Sequence, residues 1–118
     1  MTARSAVASL RAGVWAARAT LHVRRRLRHH GIDGWELRGP PMVPANARRG
    51  VNAVLRLVRP SCLERAIVLQ RWLAAHGERR DVVVGVAGSL DNFRAHAWIE
   101  GEPDSHPTEF TEITRFRP

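Results

Sequence analysis

The chain has 118 residues, 44% of them hydrophobic, which suits one globular domain with a modest core and argues against wholesale disorder. Its single cysteine excludes an internal disulfide and a four-cysteine zinc site. The net charge of +8 is carried by arginine alone, because the chain holds no lysine; it fits nucleic acid, an anionic surface or an acidic partner, and equally a GC-rich coding bias without functional meaning.

Residues 3 to about 29 read as a helix. Val7, Leu10, Val14, Ala17 and Leu21 recur at three and four and form the stripe expected to face the core. Arg4, Arg11, Arg18 and Arg25 recur every seven on another face, a solvated surface or a docking surface for an acidic partner. The basic run 24–30 complements the helix dipole, and Gly31 is a natural stop. No apolar run approaches the ~20 residues that span a bilayer. Arg11 and Arg18 also interrupt what would be the apolar region of a secretion signal, so a cytoplasmic location is expected.

Residues 31–44, with three glycines and three prolines, read as a loop anchored by Trp35. A second helix follows over 45–58, with Val51, Val54, Leu55 and Val58 on one face and Asn46 as its cap. Pro60 disfavours the α region at Arg59 and marks a break. Ser61 and Glu64 then form a capping box, which places Cys62 at the first position of a helix running to about His76. Cys62, Ala66, Leu69 and Leu73 hold one face of it, and Gly77 ends it. Trp15 and Trp72 are expected core anchors.

After residue 80 the period changes. Residues 81–87 are a β-branched strand covered on both faces, and 88–92 a turn. A second strand over 93–100 places Arg94, His96, Trp98 and Glu100 on one face. Glu100 is free to pair with a nearby arginine. Residues 101–107 are a polar loop, and 108–118 a last short helix or an irregular tail. Helices followed by a hairpin make an α+β order.

A cysteine at the head of a helix and a histidine mid-strand some thirty residues on form a pair with a mechanism. The imidazole takes the thiol proton and later protonates the leaving amine. First-turn N–H groups favour negative charge on the sulfur and on an oxyanion, which points to the backbone of Cys62 and Leu63. A carboxylate beyond the histidine would fix its tautomer. Trp98, on the histidine's face, is a candidate wall of the substrate pocket. Each residue alone is ordinary; the order and spacing together carry the reading. Cys62, His96, Asp104 and His106 offer zinc-ligand chemistry, but no pair has helical or knuckle spacing, so neither metal nor cofactor is expected.

Ser61-Cys-Leu-Glu-Arg-Ala-Ile-Val-Leu-Gln-Arg-Trp-Leu73, Val84-Gly-Val86 and Ala95-His-Ala-Trp-Ile-Glu100 resemble the transglutaminase-like cysteine proteases of lasso-peptide biosynthesis, the protease half of the split B protein. The motifs cover about residues 59–101. The resemblance implies a single transglutaminase/papain-like domain over 1–118, with N-terminal helices over 1–58 and a catalytic helix and small antiparallel sheet over 59–118. It implies a leader peptidase acting on a ribosomally made precursor through a Cys-His-Asp triad, Cys62 as nucleophile and His96 as base. In that family an aspartate follows the histidine by about a dozen residues. Here the loop is shorter, and Asp104 is the nearest carboxylate, with Glu102 and Glu109 as alternatives; His106 stands where an ungapped count would put the acid. The resemblance further implies a separate leader-recognition protein, and the arginine stripe of the first helix is a candidate surface for that partner or for the lasso cyclase. Two other readings compete: a basic nucleic-acid-binding module, against which stand the absence of a helix-turn-helix or aromatic strand platform, and an inactive scaffold of the same fold.

Overall fold

A computed structural model describes residues 2–31, 35–89, 91–102 and 110–118. The chain divides into two compact units, one ending at Pro60 and one running Ser61–Pro118.

The first unit is built on helix α1, Ala3–His30. The Thr2 hydroxyl caps it by accepting the Ser5 N–H at 3.1 Å. Arg28, His29 and His30 occupy its last turn, where cations suit the dipole, and Gly31 at φ 67° stops it. One 3-10 turn, Ala45–Ala47, leads into helix α2, Arg48–Val58. Asn46 was the expected cap of this second helix. The N-cap is instead Ala47, with no side-chain bond, because the 3-10 turn already occupies the preceding positions.

The buried face of α1 is the reverse of the expected one. Ala12, Gly13, Ala16, Ala19, Thr20 and Val23 are inside. Val7, Leu10, Val14 and Leu21 are 56%, 68%, 46% and 53% exposed. The cause is the close crossing of α1 and α2: a Cβ on Gly50 would run into the Ser9 carbonyl, and one on Gly13 would lie 3.1 Å from Val54 Cγ2. Only small side chains let two backbones approach so closely, so the alanine face takes the contact and the bulky face is left outside. Val51 and Leu55 complete the core from α2, while Val58 is exposed.

The loop after α1 is held by two indoles. Trp35 Nε1 donates to the Gly31 carbonyl at 2.9 Å, and its ring meets His22 edge-on at 5.9 Å. Trp15 Nε1 donates to the Arg38 carbonyl at 3.0 Å. Trp15 is thus a half-buried tether for the loop, not the core anchor expected.

The second unit begins with helix α3, Cys62–Ala75. Its capping box is complete: Ser61 Oγ accepts the Glu64 N–H at 3.2 Å, and Glu64 Oε1 accepts the Ser61 N–H at 3.0 Å. At the other end Gly77, at φ 85°, sits in a Schellman turn. The Glu78 N–H bonds the Leu73 carbonyl at 2.9 Å and the Gly77 N–H bonds that of Ala74 at 3.2 Å. Ala66, Val68, Leu69, Trp72 and Leu73 are buried.

Three antiparallel strands follow, β1 Val82–Ala87, β2 Arg94–Ile99 and β3 Thr111–Phe116, in the order β2-β1-β3. The hairpin and the two-sided cover of β1 agree with the sequence: Val82 and Val83, on opposite faces, are both buried. β3 replaces the expected helix or tail. Its outward positions leave Ile113 exposed, so no apolar alternation marks it, and only pairing with β1 makes it a strand. The buried Gln70 amide fastens α3 to the start of β1 and the end of β3, donating to the Arg80 carbonyl at 2.9 Å and the Phe116 carbonyl at 2.8 Å.

The helix crossing is testable. In a helix interior Gly→Ala ordinarily gains up to about 1 kcal/mol. Gly50→Ala should instead lose about 1–3 kcal/mol through overpacking against backbone, read as a lower urea midpoint. Gly13→Ala, which meets the movable end of Val54, should cost less. A stabilised Gly50→Ala would contradict the crossing.

Candidate active site

Cys62 is the first residue of α3, and its thiol is free and exposed. Two features put it there. The capping box fixes where the helix starts, and the buried apolar face begins only one turn later, at Ala66. The Glu64 and Ser61 N–H groups are consumed by the box, and the Arg65 N–H bonds the Ser61 carbonyl at 2.9 Å. The Cys62 and Leu63 N–H groups take no part in these bonds, and as first-turn donors they have no intrahelical acceptor.

His96 lies in the middle of β2 and is half-buried. α3 packs mainly on β2, so the elements carrying Cys62 and His96 are neighbours. No hydrogen bond joins the Cys62 thiol to the His96 ring among the described residues. The His96 ring stacks on Trp98 at 5.9 Å and 23°, and lies 5.3 Å from the Phe110 ring at 38°. Trp98 and Phe110 are 6.4 Å apart, and the Arg94 guanidinium sits 5.6 Å from the Phe110 centroid. Three aromatic rings therefore gather where sequence reasoning placed two. Phe110 was missed because it stands immediately before β3, whose pairing no local pattern announced.

Gly85 makes this cluster possible. It pairs with His96 across the β1–β2 ladder. A Cβ there would lie 2.8 Å from Trp98 Cη2 and 3.0 Å from the Thr111 carbonyl oxygen. The missing side chain is the room in which the indole leans towards the histidine. A bulge at Val84/Gly85 on the β3 side bends the ladder at the same point.

The other end of the sheet, beside Val82 and Ile99, is braced by Arg115. Its guanidinium reaches Glu112 at 2.6 and 2.8 Å, Glu100 at 2.7 Å and Asp81 at 3.2 Å, joining all three strands or their ends. The hydrogen bond from Arg115 holds the Glu112 carboxyl below its ordinary range, with charge attraction adding and desolvation opposing. Donating to Glu112 in turn pushes Arg115 further up. Glu100 thus has the arginine partner foreseen for it.

Among the candidate triad acids, Asp104 and Glu109 lie outside the described residues, as does His106. Glu102 is described: it is half-buried in the turn after β2, its N–H 3.3 Å from the Ile99 carbonyl. No group of three or more His, Cys, Asp or Glu side chains is arranged to hold a metal among the described residues. No described helix is long and apolar enough to cross a membrane.

The sequence matches a family model, that of the transglutaminase-like superfamily, over residues 5–118. The chain belongs to the transglutaminase-like superfamily. No curated protein and no solved structure matches it. The superfamily includes cysteine peptidases, and the α+β architecture of helices followed by a small antiparallel sheet is the one this superfamily member was expected to have.

Gly85→Ala should displace the Trp98 indole. Of the four indole N–H resonances, that of Trp98 should move most, and those of Trp15 and Trp35 least. An unmoved Trp98 signal would contradict the packing. The Glu112 pair predicts a pH dependence. Its carboxyl titrates lower folded than unfolded, so its contribution is complete above the unfolded pKa and disappears as pH falls through the folded one. Glu112→Gln should lower the urea midpoint slightly at about pH 7 and match the parent at about pH 2. A difference that persists in acid would assign the loss to packing instead.

Proposed function

We propose that the protein is a cysteine peptidase that removes the leader from a ribosomally synthesised lasso-peptide precursor. The observation that carries this is the exposed Cys62 at the head of a capped helix that packs on the strand bearing His96, in a chain of the transglutaminase-like superfamily. The lasso-specific part rests on the Cys-Leu-Glu-Arg-Ala and His-Ala-Trp-Ile-Glu motifs.

The chemistry follows from the placement. His96 takes the proton from Cys62 Sγ, and the sulfur attacks the scissile carbonyl carbon. The Cys62 and Leu63 N–H groups hold the resulting oxyanion. The tetrahedral species collapses, the C–N bond breaks, and His96 returns the proton to the departing amine. Water, deprotonated by the same imidazole, then cleaves the thioester and releases the leader's new carboxylate. Such hydrogen bonds commonly tighten only once substrate is bound. Asp104 is the proposed orienting carboxylate for His96, with Glu102 and Glu109 as alternatives. Trp98, joined by Phe110, would form a wall against the substrate beside the histidine. A separate leader-recognition protein presents the precursor, and the cyclase receives the freed core.

Mass spectrometry of a lasso precursor from the same gene cluster, incubated with this protein and the leader-binding partner, tests the reading. One cut is expected. Cys62→Ala and His96→Ala should each slow it by at least about 10³-fold, and Asp104→Asn by about 10²-fold or more. Cutting by Cys62→Ala at the native rate would remove the nucleophile assignment. No cutting by the native protein, with the partner shown to hold the leader, would favour an inactive scaffold.

A further inference from the structure

The side of α1 turned away from α2 carries the bulky residues that the helix crossing left outside. Leu10 and Val14, with the Trp15 ring and Ala19 beside them, form the floor of a groove of about 840 Å³. Its opposite wall is the loop 36–41, ending in Pro40–Pro41. The bond from Trp15 Nε1 to the Arg38 carbonyl ties the two walls together. The groove lies wholly within the first unit, and from Leu10 to His22 it runs about 18 Å along the helix.

Its charge is one-sided. Arg11 and Arg18 line it, two helical turns or about 10 Å apart. Arg4 and Arg25 continue the row in both directions, and residues 3–30 contain no carboxylate. Among the described residues neither Arg11 nor Arg18 makes an ion pair, and Glu36 is the one acidic side chain at the rim. An apolar floor between unpaired guanidinium groups is complementary to a chain that offers apolar side chains between carboxylates. A second copy of this helix would set arginine against arginine. A flat bilayer surface does not fill a concave site walled by a proline loop.

We propose that this groove docks an acidic, apolar segment of a partner protein, with carboxylates spaced about 10 Å apart to meet Arg11 and Arg18. The inference needs only the first unit, so it stands or falls independently of the peptidase reading.

The test is fluorescence anisotropy of the full chain with a labelled peptide of repeating Glu-Leu-Leu, which in the polyproline II conformation, with three residues per turn, presents its carboxylates on one face about 9 Å apart. A Gln-Leu-Leu peptide is the uncharged control. Phosphatidylserine vesicles are the membrane arm. Arg11→Glu/Arg18→Glu is compared with Arg49→Glu/Arg56→Glu, which makes the same charge change at the same spacing on exposed positions of α2. Circular dichroism confirms that both variants fold. The proposal expects saturable binding of the acidic peptide, at least tenfold weaker binding by the α1 variant, and little change in the α2 variant. Equal loss in both variants would mean net charge alone. Equal binding of the Gln peptide, no peptide binding, or binding only to vesicles would each overturn the proposal.

Discussion

The reciprocal bond between Ser61 and Glu64 decides where α3 begins, and most of the second unit depends on that start. Each half of such a cap contributes on the order of 1 kcal/mol. Glu64 is itself 9% exposed, so its half of the cap is made at a nearly buried position. With the first residue fixed, helical periodicity turns Ala66, Leu69 and Leu73 inward and leaves Cys62 outside. It also turns Gln70 towards the sheet, where one amide nitrogen serves two strand-end carbonyls. A helix started one residue later would rotate all of these by about 100° and lose both the core face and the amide clamp.

What was legible in the sequence was what local chemistry decides. The capping box, the α3 face, the break at Arg59–Pro60 and the β1–β2 hairpin each rest on residues within a few positions of one another. Arg59 takes the left-handed conformation, φ 49°, immediately before the proline that bars it from continuing the helix. What was not legible depended on distant partners. β3 is a strand because β1 offers a free edge to it, and its own Thr-Glu-Ile-Thr-Arg-Phe sequence carries no buried stripe. The orientation of α1 was misread because a count of large apolar residues cannot register that Gly13 and Gly50 permit a closer contact than leucine would.

The candidate site shows the same division. The positions of Cys62 and His96 were legible because each is marked within its own element, the one by the cap and the other by the strand alternation. The aromatic setting of His96 was only half visible. Trp98 shares its strand, but Phe110 stands immediately before β3, and the glycine that makes room for the indole lies on a third segment. Arg115 likewise gathers carboxylates from before β1, after β2 and within β3, a brace with no signature along the chain.

The exposure of Cys62 bears most directly on its role. A lone cysteine in a small domain is ordinarily a buried apolar residue, and an inert one. Here the apolar series on α3 extends back to position 62, so burial was the expectation from pattern alone. The cap reverses it, since a side chain at the first helical position projects beyond the turn that its own periodicity would bury. An exposed thiol contributes nothing to the core and carries a liability to oxidation. Packing therefore does not explain a thiol exposed at the head of the helix that packs against the histidine strand.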